Sequence, residues 1–140
     1  MDKIRFYSFW KPERIDSGEW DELSTIPKGV GLLTFGPIEE VVKKLLTIPK
    51  MKANMAFLTI SDRPVTRLIW ETGDGVVLTS NVERRSDNWQ IFGINVISTV
   101  SDADFIRLFV QVHERFSCIL LHESERQFLT VQQFKRRVSK

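Results

Sequence analysis

Between residues 56 and 99 the chain runs from strand to strand with no helix in between. Ala56–Ile60, Val65–Glu71, Val76–Asn81 and Trp89–Thr99 are each rich in β-branched and aromatic residues, the side chains that suit a pleated, half-buried surface. Thr72-Gly73-Asp74-Gly75 is a turn, because Asp-Gly and the flanking glycine accept positive φ. Gly93, inside the last run, marks a bulge. Strand runs joined by turns, rather than alternating with helices, point to an α+β fold. Its sheet is mainly antiparallel, with helices on one face.

The remaining strands follow the same logic. Lys3–Phe9 alternates, with Ile4 and Phe6 opposite Arg5, Tyr7 and Phe9, and Val30–Phe35 is a short apolar run. Cys118–Glu123 and Gln127–Thr130 form a hairpin that turns at Ser124–Arg126. The expectation is about six or seven strands, two main helices and a short C-terminal helix.

Gly36-Pro37 opens the first helix, whose apolar face is Ile38, Val41, Val42, Leu45, Leu46 and Ile48. Glu39 with Lys43 and Glu40 with Lys44 support its solvent face, and Pro49 ends it. The second helix runs from Asp102 to Phe116. Ser101 and Asp104 resemble a capping box, and Val100 and Phe105 are placed as a hydrophobic staple. Thr130 with Gln133 caps the last helix, and its basic end (Lys135, Arg136, Arg137, Lys140) complements a helix C-terminus.

The 140 residues carry 15 aromatics (10 Phe, 4 Trp and 1 Tyr) spread along the whole length, with no linker or repeat, so residues 1–140 read as one domain. Lys and Arg number 20 against 18 acids, a net of +2, too little for an electrostatic nucleic-acid binder. One cysteine fits a reducing compartment. The start lacks a signal peptide's apolar stretch, and the longest uncharged window, Asn88–Ser101, is short of the ~18–20 apolar residues of a membrane span. A cytoplasmic protein without a membrane partner is expected.

Catalytic motifs are missing. Gly29-Val30-Gly31 lacks the third glycine of a dinucleotide loop, and no P-loop or Gly-x-Ser-x-Gly elbow occurs. Cys118 sits in an apolar strand and reads as core. His113 and His122 lack metal-ligand spacing. Asp102 and Asp104 are explained by their place at a helix N-terminus, and Glu71 and Asp74 flank a turn. Arg84-Arg85 lies in a polar loop beside Glu83 and Asp87. No catalytic residue, metal ligand or cofactor is assigned.

Two features exceed what folding requires. In the second helix Ile106 and Val110 widen the apolar arc to roughly 200°, with His113 inside it. Beyond Trp10, the segment Glu13–Glu22 holds Trp20 and five acids (Glu13, Asp16, Glu19, Asp21 and Glu22) against Arg14 alone, a net of −4. Tryptophan anchors beside acidic residues suit an electrostatically steered contact with a basic protein. The expectation is a non-enzymatic protein-binding module, such as a bacterial immunity-type inhibitor neutralising a basic toxin. Its contact residues would be Trp10, Glu13, Asp16, Glu19, Trp20, Asp21, Glu22, Ile106, Val110 and His113. A homodimer through the Ile106–Val110–His113 strip, an enzyme whose polar groups converge only in the fold, and a nucleic-acid-associated protein are the alternatives.

Overall fold

In the computed structural model, which describes residues 3–15, 26–53, 58–60, 63–72, 75–85 and 87–139, the N-terminal strand lies in the middle of the sheet. The elements in chain order are β1 (Arg5–Pro12), β2 (Leu32–Leu33), β3 (Gly36–Pro37), α1 (Ile38–Leu45), β4 (Met51–Ala53), β5 (Leu58–Ile60) and β6 (Arg63–Val65). Then follow β7 (Arg67–Trp70), β8 (Val76–Arg85), β9 (Asn88–Ser98), α2 (Asp102–Phe116), β10 (Ile119–His122), β11 (Gln127–Leu129) and α3 (Val131–Val138). The sheet order is β11-β10-β1-β9-β8-β7-β4, with β2 added to β1 and β3 to β9, and β5 and β6 pair separately. Every pairing is antiparallel. The fold is α+β, as the strand pattern implies.

The period-two alternation of β1 decides which face is the core. Tyr7 and Phe9 are buried under the helices, in one cluster with Val96, Leu78, Phe105, Phe109 and Phe134. The Tyr7 ring stacks on Phe105 with centroids 4.4 Å apart and planes 16° apart. Phe9 stacks on the same ring at 6.1 Å, and Phe134 meets Phe109 edge-on at 5.7 Å. Such pairs add to the gain from burial itself. At the end of this stack the Tyr7 hydroxyl donates to the carboxylate of Asp102, in the first turn of α2. Burial, and then this hydrogen bond, hold the phenol well above its ordinary pKa. Arg5 donates to the Val100 carbonyl at 3.0 Å and lies 3.6 Å from Asp102, so β1 fixes the entry of α2.

Gly93 does sit at a bulge. Asn81 pairs with Gly93 but Val82 pairs with Ile91, leaving Phe92 as the extra residue. A Cβ there would stand 3.0 Å from the Trp10 ring, so any larger residue requires that ring to shift by a few tenths of an ångström. Gly75 adopts φ +90° in the turn before β8, and a Cβ there would collide with Thr99 Oγ1.

The helix signals hold with local differences. The Ser101 hydroxyl accepts the Asp104 N–H at 3.2 Å. Its own O–H meets the Asp104 carboxylate at 3.2 Å, so the shorter acid substitutes a side-chain contact for the return arm of a full capping box. Thr130 and Gln133 form both arms. Instead of two main helices, the described residues hold one of 15 residues and two of eight. The first ends at Leu45 rather than Ile48, because Thr47 and Ile48 turn ahead of Pro49, which disfavours a helical residue before it.

Strand boundaries move wherever pairing outweighs composition. β1 continues to Pro12 by pairing with β2. β8 continues to Arg85, so Arg84-Arg85 is ladder rather than loop, opposite Trp89 and Asn88. Met51–Ala53, which has no strand signature of its own, pairs with β7. Val65–Glu71 divides at Thr66, whose N–H donates to Ser80 Oγ at 3.1 Å while its carbonyl accepts the Ser80 N–H.

The two faces differ in energetic weight. Phe105→Ala, at the centre of the stack, is expected to cost about 3–5 kcal/mol. Ile97→Ala, on the exposed face, is expected to cost under about 1 kcal/mol. Urea unfolding of the two variants checks the contrast.

Candidate binding groove

Where β1 and α2 end and α3 begins, the surface sinks into a groove of about 610 Å³. Its apolar lining comes from Pro12, Ile15, Leu33, Val110 and Val131, and its charged lining from Lys11, Glu13, Arg14, Glu114 and Lys135. His113, Ser117, Thr130 and Gln132 complete it. The volume falls within the ~300–1,000 Å³ of typical binding clefts.

Backbone groups hold these side chains in place. Lys11 Nζ donates to the Phe116 carbonyl, one of the unsatisfied acceptors at the end of α2. Ser117 closes that helix in the left-handed region at φ 51°, and its N–H donates to the His113 carbonyl at 2.8 Å. The reversal brings the Cys118 N–H to His113 Nδ1 at 3.2 Å, which orients the imidazole. The Glu13 N–H donates to the Gly31 carbonyl at 2.9 Å, and its carboxylate accepts the Gly31 N–H. On the far side of α3 the Arg137 guanidinium forks onto Glu125, in the turn between β10 and β11.

The groove therefore joins Glu13, from the acidic segment, to Val110 and His113, from the apolar arc of α2. Of the other described candidates it includes neither Ile106 nor Trp10. Ile106 is half-buried against the core and does not line the groove. Trp10 lies on the opposite side of the sheet, in a small cluster with Ile15, Ile26, Val30, Ile119 and Phe128. Its indole N–H donates to Ser8 Oγ at 2.7 Å, and that hydroxyl donates to Glu123 at 2.8 Å. Trp10 thus plugs the second face. Asp16, Glu19, Trp20, Asp21 and Glu22 lie outside the described residues. Lys11, Leu33 and Lys135 were not legible as groove residues, since they meet only through the pairing of β1 with β2 and the docking of α3.

The groups weighed for catalysis sit apart. His122 is buried, with its ring edge-on to Tyr7 at 5.2 Å. Glu71 is paired at the surface with Lys52 at 3.1 Å, beyond the far side of the sheet, and Asp74 lies outside the described residues. Cys118 is fully buried, and burial pushes its thiol well above the ordinary value. Among the described residues no three His, Cys, Asp or Glu side chains converge as a metal site, and no described helix is long and apolar enough to cross a membrane. No protein-family model, curated protein or solved structure matches this chain.

Two expectations follow from these environments. Native Cys118 should resist an aromatic disulfide reagent, with labelling that tracks unfolding; rapid labelling without unfolding would contradict its burial. The Arg137 hydrogen bond holds the Glu125 carboxyl below its ordinary value. That pair therefore stabilises the fold above the unfolded carboxyl's pKa of about 4.3, and the contribution fades as pH falls through the lower folded value. Glu125→Gln should make the loss of stability on acidification below about pH 4.3 shallower, as read by urea unfolding at a series of pH values.

Proposed function

We propose that this chain is a non-enzymatic protein-binding module that seats part of a partner protein in the groove beside Val110 and His113. The observation that carries the reading is the meeting of Glu13, Val110 and His113 in one concavity. Glu13 is also the first acid of the segment that continues to Glu22 with a net of −4 (five acids, one arginine). Glu13 and Glu114 in the lining suit basic groups of a partner, since opposite charges accelerate encounter while the apolar contact sets how long the complex lasts. Lys135 within the lining suits an acidic or carbonyl-bearing group at the seated tip. In its specific form the proposal is an inhibitor of the immunity type, held in the cytoplasm, that covers the working surface of a basic toxin.

The test uses the whole chain immobilised against nuclease-treated lysate of its native host. The wild type should retain one stoichiometric protein that is released as salt rises, and Val110→Arg should lose it. Neutralising Asp16, Glu19, Asp21 and Glu22 to their amides should slow association roughly tenfold and flatten its salt dependence, as steered encounters do. A partner held equally by wild type and Val110→Arg, or none held by the wild type, contradicts the proposal.

A further inference from the structure

The sheet face opposite the helices carries an apolar row that the fold leaves partly exposed. Phe6 pairs with Ile97, Ile97 with Val77, and Val77 with Ile69, so four side chains stand side by side across β1, β9, β8 and β7. Phe6 is 48% exposed and Ile97 46% exposed, while Val77 and Ile69 are half-buried. The row ends in charge on both sides. Beyond Phe6 the Glu123 N–H donates to the Phe6 carbonyl, and the Glu123 carboxylate lies on this face, bonded to Ser8. Beyond Ile69 stands its pairing partner Lys52. Read across the sheet, the row is Glu123, Phe6, Ile97, Val77, Ile69, Lys52.

That order is self-complementary. We propose that two copies of this chain pack through this face, related by a two-fold axis that runs parallel to the strands between β9 and β8. The rotation reverses the row, laying Ile97 on Val77 of the second copy, Phe6 on its Ile69, and Glu123 against its Lys52. Each contact occurs twice, as an isologous interface requires. Strands that stay nearly parallel match the aligned mode of sheet packing. A two-fold axis along the row would set Glu123 on Glu123 and Lys52 on Lys52, so charge selects between the arrangements.

The edges support that choice. Lys52 is paired within its own chain to Glu71, but both side chains are more than half exposed, where such a pair rearranges readily. Arg67 adds a second exposed cation to the same edge, one row along and opposite Thr79, so cations outnumber acids among the described residues there. The surface is distinct from the α2 strip considered for a homodimer, where Ile106 and Val110 pack against the core. It also lies away from the groove, so dimerisation and partner binding stand or fall separately. The row spans five strand spacings, about 24 Å, which gives an interface at or below the standard ~1,200–2,000 Å² and hence a weak dimer.

Sedimentation velocity on the purified chain tests this. Wild type should shift from monomer to dimer between about 5 and 500 µM, a weak association. Ile97→Glu should weaken the dimer roughly 30-fold or more, since it buries a charge at the centre. Glu123→Lys and Lys52→Glu should each weaken it, because each homodimer then sets like charges together twice. Mixing those two variants should restore the dimer, because every contact is again between opposite charges. Unchanged circular dichroism establishes that each variant is folded. A wild type that stays monomeric throughout, a dimer indifferent to Ile97→Glu, or a mixture that fails to restore it would each overturn the proposal.

Discussion

The stacking of Tyr7 and Phe9 on Phe105 is the contact on which the rest of the molecule depends. It places a strand from the N-terminus between β9 and β10, and it fastens α2 across the sheet. The polar groups around it have equally distant partners: Arg5 reaches Val100, 95 residues away, and Ser8 reaches Glu123, 115 residues away. Closing loops of that length before any reward is entropically unfavourable, so the sheet is complete only once the two ends of the chain have met. The hairpins β7–β8 and β8–β9 need no such closure, which makes them natural early units.

Once β1 is inserted, the two faces of the sheet divide. Tyr7, Phe9, Val96 and Leu78 face the helices, while Phe6, Ile97, Val77 and Ile69 face away. On that second face Trp10 covers only the end near Gly93 and the bulge. The groove arises from the same insertion, since the end of β1 delivers Lys11 to the C-terminus of α2 and carries Glu13 and Ile15 past Val110 and His113. One long-range placement thus creates the core, the apolar row and the groove together.

Local structure was largely legible in the sequence because its signals are short-range. Ser101 and Thr130 mark helix starts, Gly93 marks the bulge, and the β10–β11 hairpin follows from alternation and its turn. Met51–Ala53 was illegible because its strand character comes from Leu68, Ile69 and Trp70 across from it, not from its own residues. Arg84 and Arg85 looked like loop because their composition is polar, and only the facing Trp89 and Asn88 extend the ladder to them. Of the candidate groove, the helical arc drew attention to Val110 and His113, but periodicity could not show that Ile106 packs against the core or that Glu13 approaches from another element. The apolar row was half-visible, in that Phe6 alternates opposite Tyr7 and Phe9. Its neighbours depend on strand order, which no local pattern encodes.

Native-state amide hydrogen exchange measures the central dependence most directly. The account predicts that the amides of Tyr7 and Phe9, together with those of Leu108 and Val112 in α2, exchange only through global unfolding and share its free energy. It predicts that the outer pairing of β4 with β7 opens at lower free energy. Slow exchange confined to β7, β8 and β9, with Tyr7 and Phe9 exchanging early, would contradict it, because β1 would then be an addition to a sheet that stands without it.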